Sequence, residues 1–171
     1  LPNMHADTDD VSVRIENCTS TSDRAAARVI TGNAPDRTVG GSIQFVDCEF
    51  ITPRGNGIMV GDKPVEGLDL TFTNCIVDRP ALENEETDPI LFTSRQRAVR
   101  DVGGVEFDNL MLRDPVEREP LGFSSMALGV NFADITGTLI IERDDERSEV
   151  EITEDVLAQW APRSDVPNIP L

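Results

Sequence analysis

The chain has 171 residues, enough for one sizeable core, and its 15 Lys and Arg against 32 Asp and Glu give a formal net charge of −17. That balance argues against nucleic acid, whose binding depends on clustered cations, and against an anionic membrane surface. No run approaches the ~20 apolar residues of a membrane-spanning helix, and the acidity reads as solubilising surface charge.

In chain order the first feature is the polar segment Asn3-Met4-His5-Ala6-Asp7-Thr8-Asp9-Asp10, which holds the only histidine. His5 beside Asp7 and Asp10 is a candidate general acid/base group or metal ligand. Three carboxylates in four positions can also hold Ca²⁺ through oxygen, although no Asp-x-Asp-x-Asp-Gly loop is present. A polar turn before a strand at Val11 accounts for the same residues.

An alternating phrase follows, Val13-Arg14-Ile15-Glu16-Asn17-Cys18. It returns as Ile43-Gln44-Phe45-Val46-Asp47-Cys48, as Leu70-Thr71-Phe72-Thr73-Asn74-Cys75, and more loosely as Val105-Glu106-Phe107-Asp108-Asn109-Leu110. A second apolar run comes after each phrase: Ala27 to Thr31, Gly57 to Val60, Pro89 to Thr93 and Met126 to Phe132. Turn residues separate the runs at Asn33 to Asp36, Pro53 to Asn56 and Gly61 to Pro64. Arg95, Arg97 and Arg100 form one basic stretch that reads as a long corner loop. Leu139-Ile140-Ile141 reads as a final strand, and the charged run Glu142 to Glu151 as a solvated turn or edge. Thr153 to Trp160 reads as a short helix with Thr153 as N-cap and acids in its first turn. Leu157 and Trp160 are placed to cover the open end of the preceding strands.

The four phrases are 30, 27 and 35 residues apart at the positions of Cys18, Cys48, Cys75 and Leu110. Helical repeats of fixed length do not drift this much, whereas a stack of strands joined by variable corners can. Alternation assigns Val13, Ile15, Ile43, Phe45, Leu70, Phe72, Val105 and Phe107 to the inside. Phe50, Val77 and Leu112 return inside after a bend at Asn17, Asp47, Asn74 and Asn109, where amides are expected to stack along the column. The three cysteines share one inward position, which predicts a column of free thiols and neither disulfides nor a metal site, since no Cys-x-x-Cys or nearby Cys/His pair exists.

These units resemble the coils of a right-handed parallel β-helix, the solenoid of pectate lyases and many other carbohydrate-active proteins. The residues carrying the resemblance are Asn17-Cys18, Asp47-Cys48-Glu49-Phe50, Asn74-Cys75-Ile76-Val77 and Asn109-Leu110-Met111-Leu112 with the alternations before them. The expected fold is therefore all-β, with parallel β-helix coils over 1–144 and a C-terminal cap and tail over 145–171. An antiparallel β-sandwich is the competing fold, but it needs no such in-register recurrence. Opening at Leu1 directly in mid-domain sequence, the chain is expected to be a C-terminal portion whose remaining N-terminal coils belong to a longer parent.

The resemblance implies a secreted protein, extracellular or periplasmic, that acts on a polysaccharide as a lyase or glycoside hydrolase. Lyases of this fold use an Arg, Lys or similar base, often with Ca²⁺; hydrolases use paired carboxylates. The candidate catalytic residues are His5, Asp7, Asp10 and Arg14, with Arg95 and Arg97 as a clamp for an anionic sugar. The alternative is a non-catalytic surface, adhesion or scaffold module. The absence of Tyr and the single Trp weigh against a sugar groove lined with aromatic rings.

Overall fold

A computed structural model describes residues 10–30, 40–63, 65–80, 87–94, 101–125 and 131–160. The first coil runs through β1 (Asp10–Glu16), β2 (Thr19–Thr21) and β3 (Ala25–Ile30). The second runs through β4 (Gly40–Val46), β5 (Glu49–Ile51) and β6 (Asn56–Gly61), and the third through β7 (Leu68–Thr73), β8 (Ile76–Asp78) and β9 (Ile90–Ser94). In the fourth, the strands before and after the bend are continuous as β10 (Asp101–Arg113), followed by β11 (Leu121–Ser125). Equivalent strands of successive coils pair in parallel, so β1-β4-β7-β10 and β2-β5-β8-β10 form one bent sheet and β3-β6-β9-β11 a second. Parallel neighbours need a long crossover, and here each crossover is the rest of a coil. The protein is a parallel β-solenoid, the β-helix architecture.

The ladder follows the repeated phrase. Val13 pairs with Ile43, Ile43 with Leu70 and Leu70 with Val105, the same offsets of 30, 27 and 35 residues. At the bend Asn17, Asp47, Asn74 and Asn109 have φ of 51°, 50°, 50° and 57°. This left-handed region is where Asn and Asp are tolerated better than other residues bearing a Cβ. The backbone ladder continues through it: Asn74 N–H donates to Asp108 O at 2.8 Å, and Ile76 N–H to Cys48 O at 2.8 Å. The four bend side chains are exposed, and backbone bonds carry the ladder through the bend.

The interior is filled as alternation dictates. Phe45 and Phe72 stack with centroids 4.9 Å apart and planes 4° apart, and Phe107 continues the column at 5.7 Å. Such pairs add about 0.5–1.5 kcal/mol each beyond their buried area. Cys48 and Cys75 lie buried in their column as free thiols, whereas Cys18 of the first coil is exposed. Each buried Sγ sits 3.3–3.4 Å from carbonyls of its own and the preceding coil, Val46 and Ile15 for Cys48, Thr73 and Phe45 for Cys75.

Two readings of the sequence are corrected. The fourth outer run is β11, with Leu121 paired to Ile90, not Met126 to Phe132. Phe132 instead lies in β12 (Asn131–Arg143), which pairs with β10 as a fifth copy of the phrase. That copy is one residue shorter, with a register shift between Phe107 and Leu110. Its bend is made by Gly137 at φ 107°, where a Cβ would lie 2.1 Å from Phe107 O. Loss of the aromatic residue at this position hides the repeat in the sequence.

The charged run is the solvated turn and edge expected of it, but the edge is itself a strand, so Leu139-Ile140-Ile141 is not in the final one. β13 (Glu146–Ile152) folds back antiparallel on β12 through Asp144 and Asp145, both at positive φ. Two such residues make the tight turn that suits strand twist. A charged antiparallel strand at the end of a parallel sheet blocks further pairing. α1 (Glu154–Trp160) then starts where expected: Val156 N–H donates to Thr153 Oγ1 at 3.3 Å, and Leu157 and Trp160 pack on the core.

Candidate functional site

Of the expected site residues, Arg14 is fully placed. It lies outward on β1, about half exposed, where its Nε donates to Glu16 Oε1 at 2.5 Å and its Nη1 to Gln44 Oε1 at 2.9 Å. Asp10 opens β1 opposite Gly40. His5, Asp7, Arg95 and Arg97 fall outside the described residues, as does most of the segment named for Ca²⁺. Among the described residues no group of three His, Cys, Asp or Glu is arranged to hold a metal ion.

Register places Arg14, Gln44, Thr71, Glu106 and Thr136 in one outward column. Glu16, Val46, Thr73 and Asp108 form the next. Glu16 and Asp108 are three layers apart, roughly 14 Å at ~4.8 Å per layer, too far for a carboxylate pair. Glu106 and Asp108, two residues apart on β10, lie about 7 Å apart along one exposed face, within the range of an inverting pair. Their place on one face follows from strand alternation, but the candidate residues named from the sequence do not include them.

The largest concentration of buried charge lies at the corner after β8 and β10, and it was also missed. Arg79 is 0% and Asp114 3% exposed. Arg79 Nη1 donates to Asp114 Oδ2 at 2.7 Å, and its Nη2 to Thr87 O at 2.8 Å and Thr87 Oγ1 at 2.6 Å. Arg118 Nη1 donates to the same Thr87 carbonyl at 2.5 Å, and Arg143 Nη2 to Arg118 O at 3.0 Å. Asp114 Oδ1 accepts the Val116 N–H at 2.9 Å. Arg113 pairs with Asp78 on one side and Glu142 on the other, so Arg79, Asp114 and Arg143 follow one another along the solenoid as alternating charges. Burial pulls Arg79 below its ordinary range against the opposing pull of Asp114. Burial likewise pushes Asp88 up, opposed by Arg118 and Arg79. Arginine stays protonated in proteins, so Arg79 remains a cation and its bonds to Asp114 and Thr87 pin the corners together. The offset of 35 that links Cys75 to Leu110 also carries Arg79 to Asp114, which was the available signal.

Lys63, the only lysine, is fully buried after β6, with Nζ 2.7 Å from where a Cβ on Gly104 would stand. Burial lowers its pKa to about 8, with Asp69 opposing. On the outer face past the bend, Glu142 receives Arg147 Nε at 2.6 Å and Arg113 Nε at 2.9 Å. The Arg147 hydrogen bond, more than Arg113, holds its carboxyl below the usual range.

Compared with family models, curated proteins and solved structures, the chain matches none.

Proposed function

We propose that this solenoid is a non-catalytic structural module, a stack of β-coils that displays flat polar walls and seals its own C-terminal end. One observation carries the reading. Lys63, Cys75 and Arg79, whose titration burial shifts, are enclosed in the core or at corners, and the half-buried Asp88 and Glu142 are held by arginines, as outward Arg14 is engaged by Glu16 and Gln44. Catalytic sites put their shifted groups in an accessible cleft. Replacing His5, Asp7, Asp10 and Arg14 by Ala then leaves polysaccharide binding, measured by calorimetry, unchanged; lost affinity or activity contradicts the reading.

A second reading is favoured by Glu106 and Asp108, which face outward together between Thr71 and Thr73 of β7 and Thr136 of β12. Carboxylates among hydroxyls suit a polyol. In this reading the chain is part of a secreted, extracellular or periplasmic β-helix lyase or glycosidase whose upstream coils extend the same wall. Assay on pectin, alginate and sulfated polysaccharides, with and without Ca²⁺, tests it. New reducing ends or unsaturated products that vanish in Glu106→Gln or Asp108→Asn support it, and none on any substrate removes it.

A further inference from the structure

The buried corner holds more donors than its acceptors take up. Arg79 after β8, Arg118 after β10 and Arg143 at the end of β12 meet there. Arg79 is 0% exposed, the Arg118 side chain 13%, and Arg143 is half-buried. Two carboxylates face them, buried Asp114 and half-buried Asp88, and burial disfavours the ionised form of Asp88. Thr87 O accepts from both Arg79 Nη2 and Arg118 Nη1, which uses both its lone pairs. Asp114 Oδ1 takes the Val116 N–H, Asp114 Oδ2 takes Arg79 Nη1, and Arg118 O takes Arg143 Nη2. Nε of Arg79 and Nε of Arg143 are left, both buried and without a hydrogen-bond partner among the described residues. Buried donors are almost always paired, and buried cations need an opposing charge. Here three cations face two carboxylates, on a chain whose net charge is −17.

We propose that this corner is a binding site for one tetrahedral oxyanion, sulfate or phosphate, held by Arg79 and Arg143. The inference goes beyond the structural-module reading and does not depend on it. The two arginines flank the Asp114 layer, roughly 10 Å apart at the backbone for two layers of ~4.8 Å. Both side chains end on one group: Arg79 on Asp114, and Arg143 on the carbonyl of Arg118, whose own Nε is 3.6 Å from Asp114 Oδ2. Donors carried on two different layers call for an acceptor with several oxygens, which an oxyanion supplies through charge-assisted hydrogen bonds to guanidinium. Bound there, the anion balances the surplus cation and ties three layers of the solenoid together at the corner. Stability then follows oxyanion concentration by mass action.

Isothermal titration calorimetry of the 171-residue chain with sodium sulfate, and separately with sodium phosphate, tests this at an ionic strength held constant with sodium chloride. One saturable site is expected, and the thermal midpoint should rise along the same saturation curve. Arg143→Met removes a donor at a half-buried position, and circular dichroism checks that it folds. It should weaken binding about tenfold or more, as loss of a charge-assisted hydrogen bond does. Asp88→Asn removes a competing carboxylate and should tighten binding, a gain that damage to the corner would not produce. Absence of saturable binding overturns the proposal: the corner is then completed by water or by the chain's own carboxylates. A midpoint that rises without saturating, equally in Arg143→Met, is the general stabilisation by an excluded salt and overturns it too. So does affinity indifferent to both variants. Polysaccharide activity removes the structural-module reading and leaves this site standing.

Discussion

At Asn74 the backbone is held at φ 50° inside a ladder that passes straight through it. A Cβ-bearing residue without a short polar side chain costs about 1–2 kcal/mol in this region, and glycine costs little. Asn74→Ala is therefore expected to lower the unfolding free energy measured by urea titration by about that amount, and Asn74→Gly to leave it nearly unchanged; equal loss in both would place the asparagine's role in its side chain. Lys63 makes a pH prediction. Its folded pKa of about 8 lies below the 10.5 of a free lysine, so between those values the unfolded chain holds more protons and stability rises with pH. The full rise is roughly 3 kcal/mol. Cys75 acts in the opposite sense. Burial pushes its thiol from 9.0 up to about 12, so stability is lost as pH climbs through that window. Subtracting the unfolding free energy of Lys63→Met from that of the wild type isolates the lysine, and the difference should climb from pH 8 to 10. A flat difference would show that the buried amine does not titrate in that window.

At the scale of elements, the buried corner joins the loops after β8 and β10. Removing one partner of a buried pair strands the other charge, at about 3–5 kcal/mol, whereas replacing both with apolar residues costs far less. Arg79→Met and Asp114→Leu should each destabilise strongly, and Arg79→Met/Asp114→Leu should recover much of the loss. Additive losses in denaturant titrations would show that the two side chains are not coupled. This partnership was implicit in the spacing, because the phrase offset carries one residue onto the other. Its burial was not implicit, since strand alternation ends at the corner and nothing local marks that side chains there turn inward. Glu106 and Asp108 show the converse. Their shared face follows from alternation alone, but exposed acids two apart on a strand are ordinary on so acidic a chain, so nothing in the sequence singles them out.

For the whole molecule, a solenoid is close to one-dimensional, each coil resting on its neighbours. Its weak points are therefore its ends. β13 carries Glu146, Arg147, Glu149 and Glu151 along the edge it covers, and charged edge strands resist further pairing. A chain ending at Arg143 exposes the β12 edge together with the core surface under Leu157 and Trp160. It should form larger assemblies by light scattering at concentrations where the full chain does not.

The sequence alone determined the coil. Recurrence of apolar alternation, a left-handed bend residue and a small inward residue is a local pattern, and parallel stacking is the arrangement that buries every copy at once. The bend at Asn17, Asp47, Asn74 and Asn109, the Phe column and the capping helix were all legible for that reason. The fifth copy was not, because Gly137 omits the aromatic residue that marks the phrase and shortens the bend by one. Only the tertiary structure decided which charges are enclosed and how the β12 edge is covered. Enclosure of Arg79, Asp114 and Lys63 depends on where corners of different lengths converge, and cover of the β12 edge depends on β13 folding back through a two-residue turn. The first arises from contacts between coils about thirty residues apart, which no local pattern encodes; the second is a local hairpin whose charged strand gives no apolar alternation to mark it.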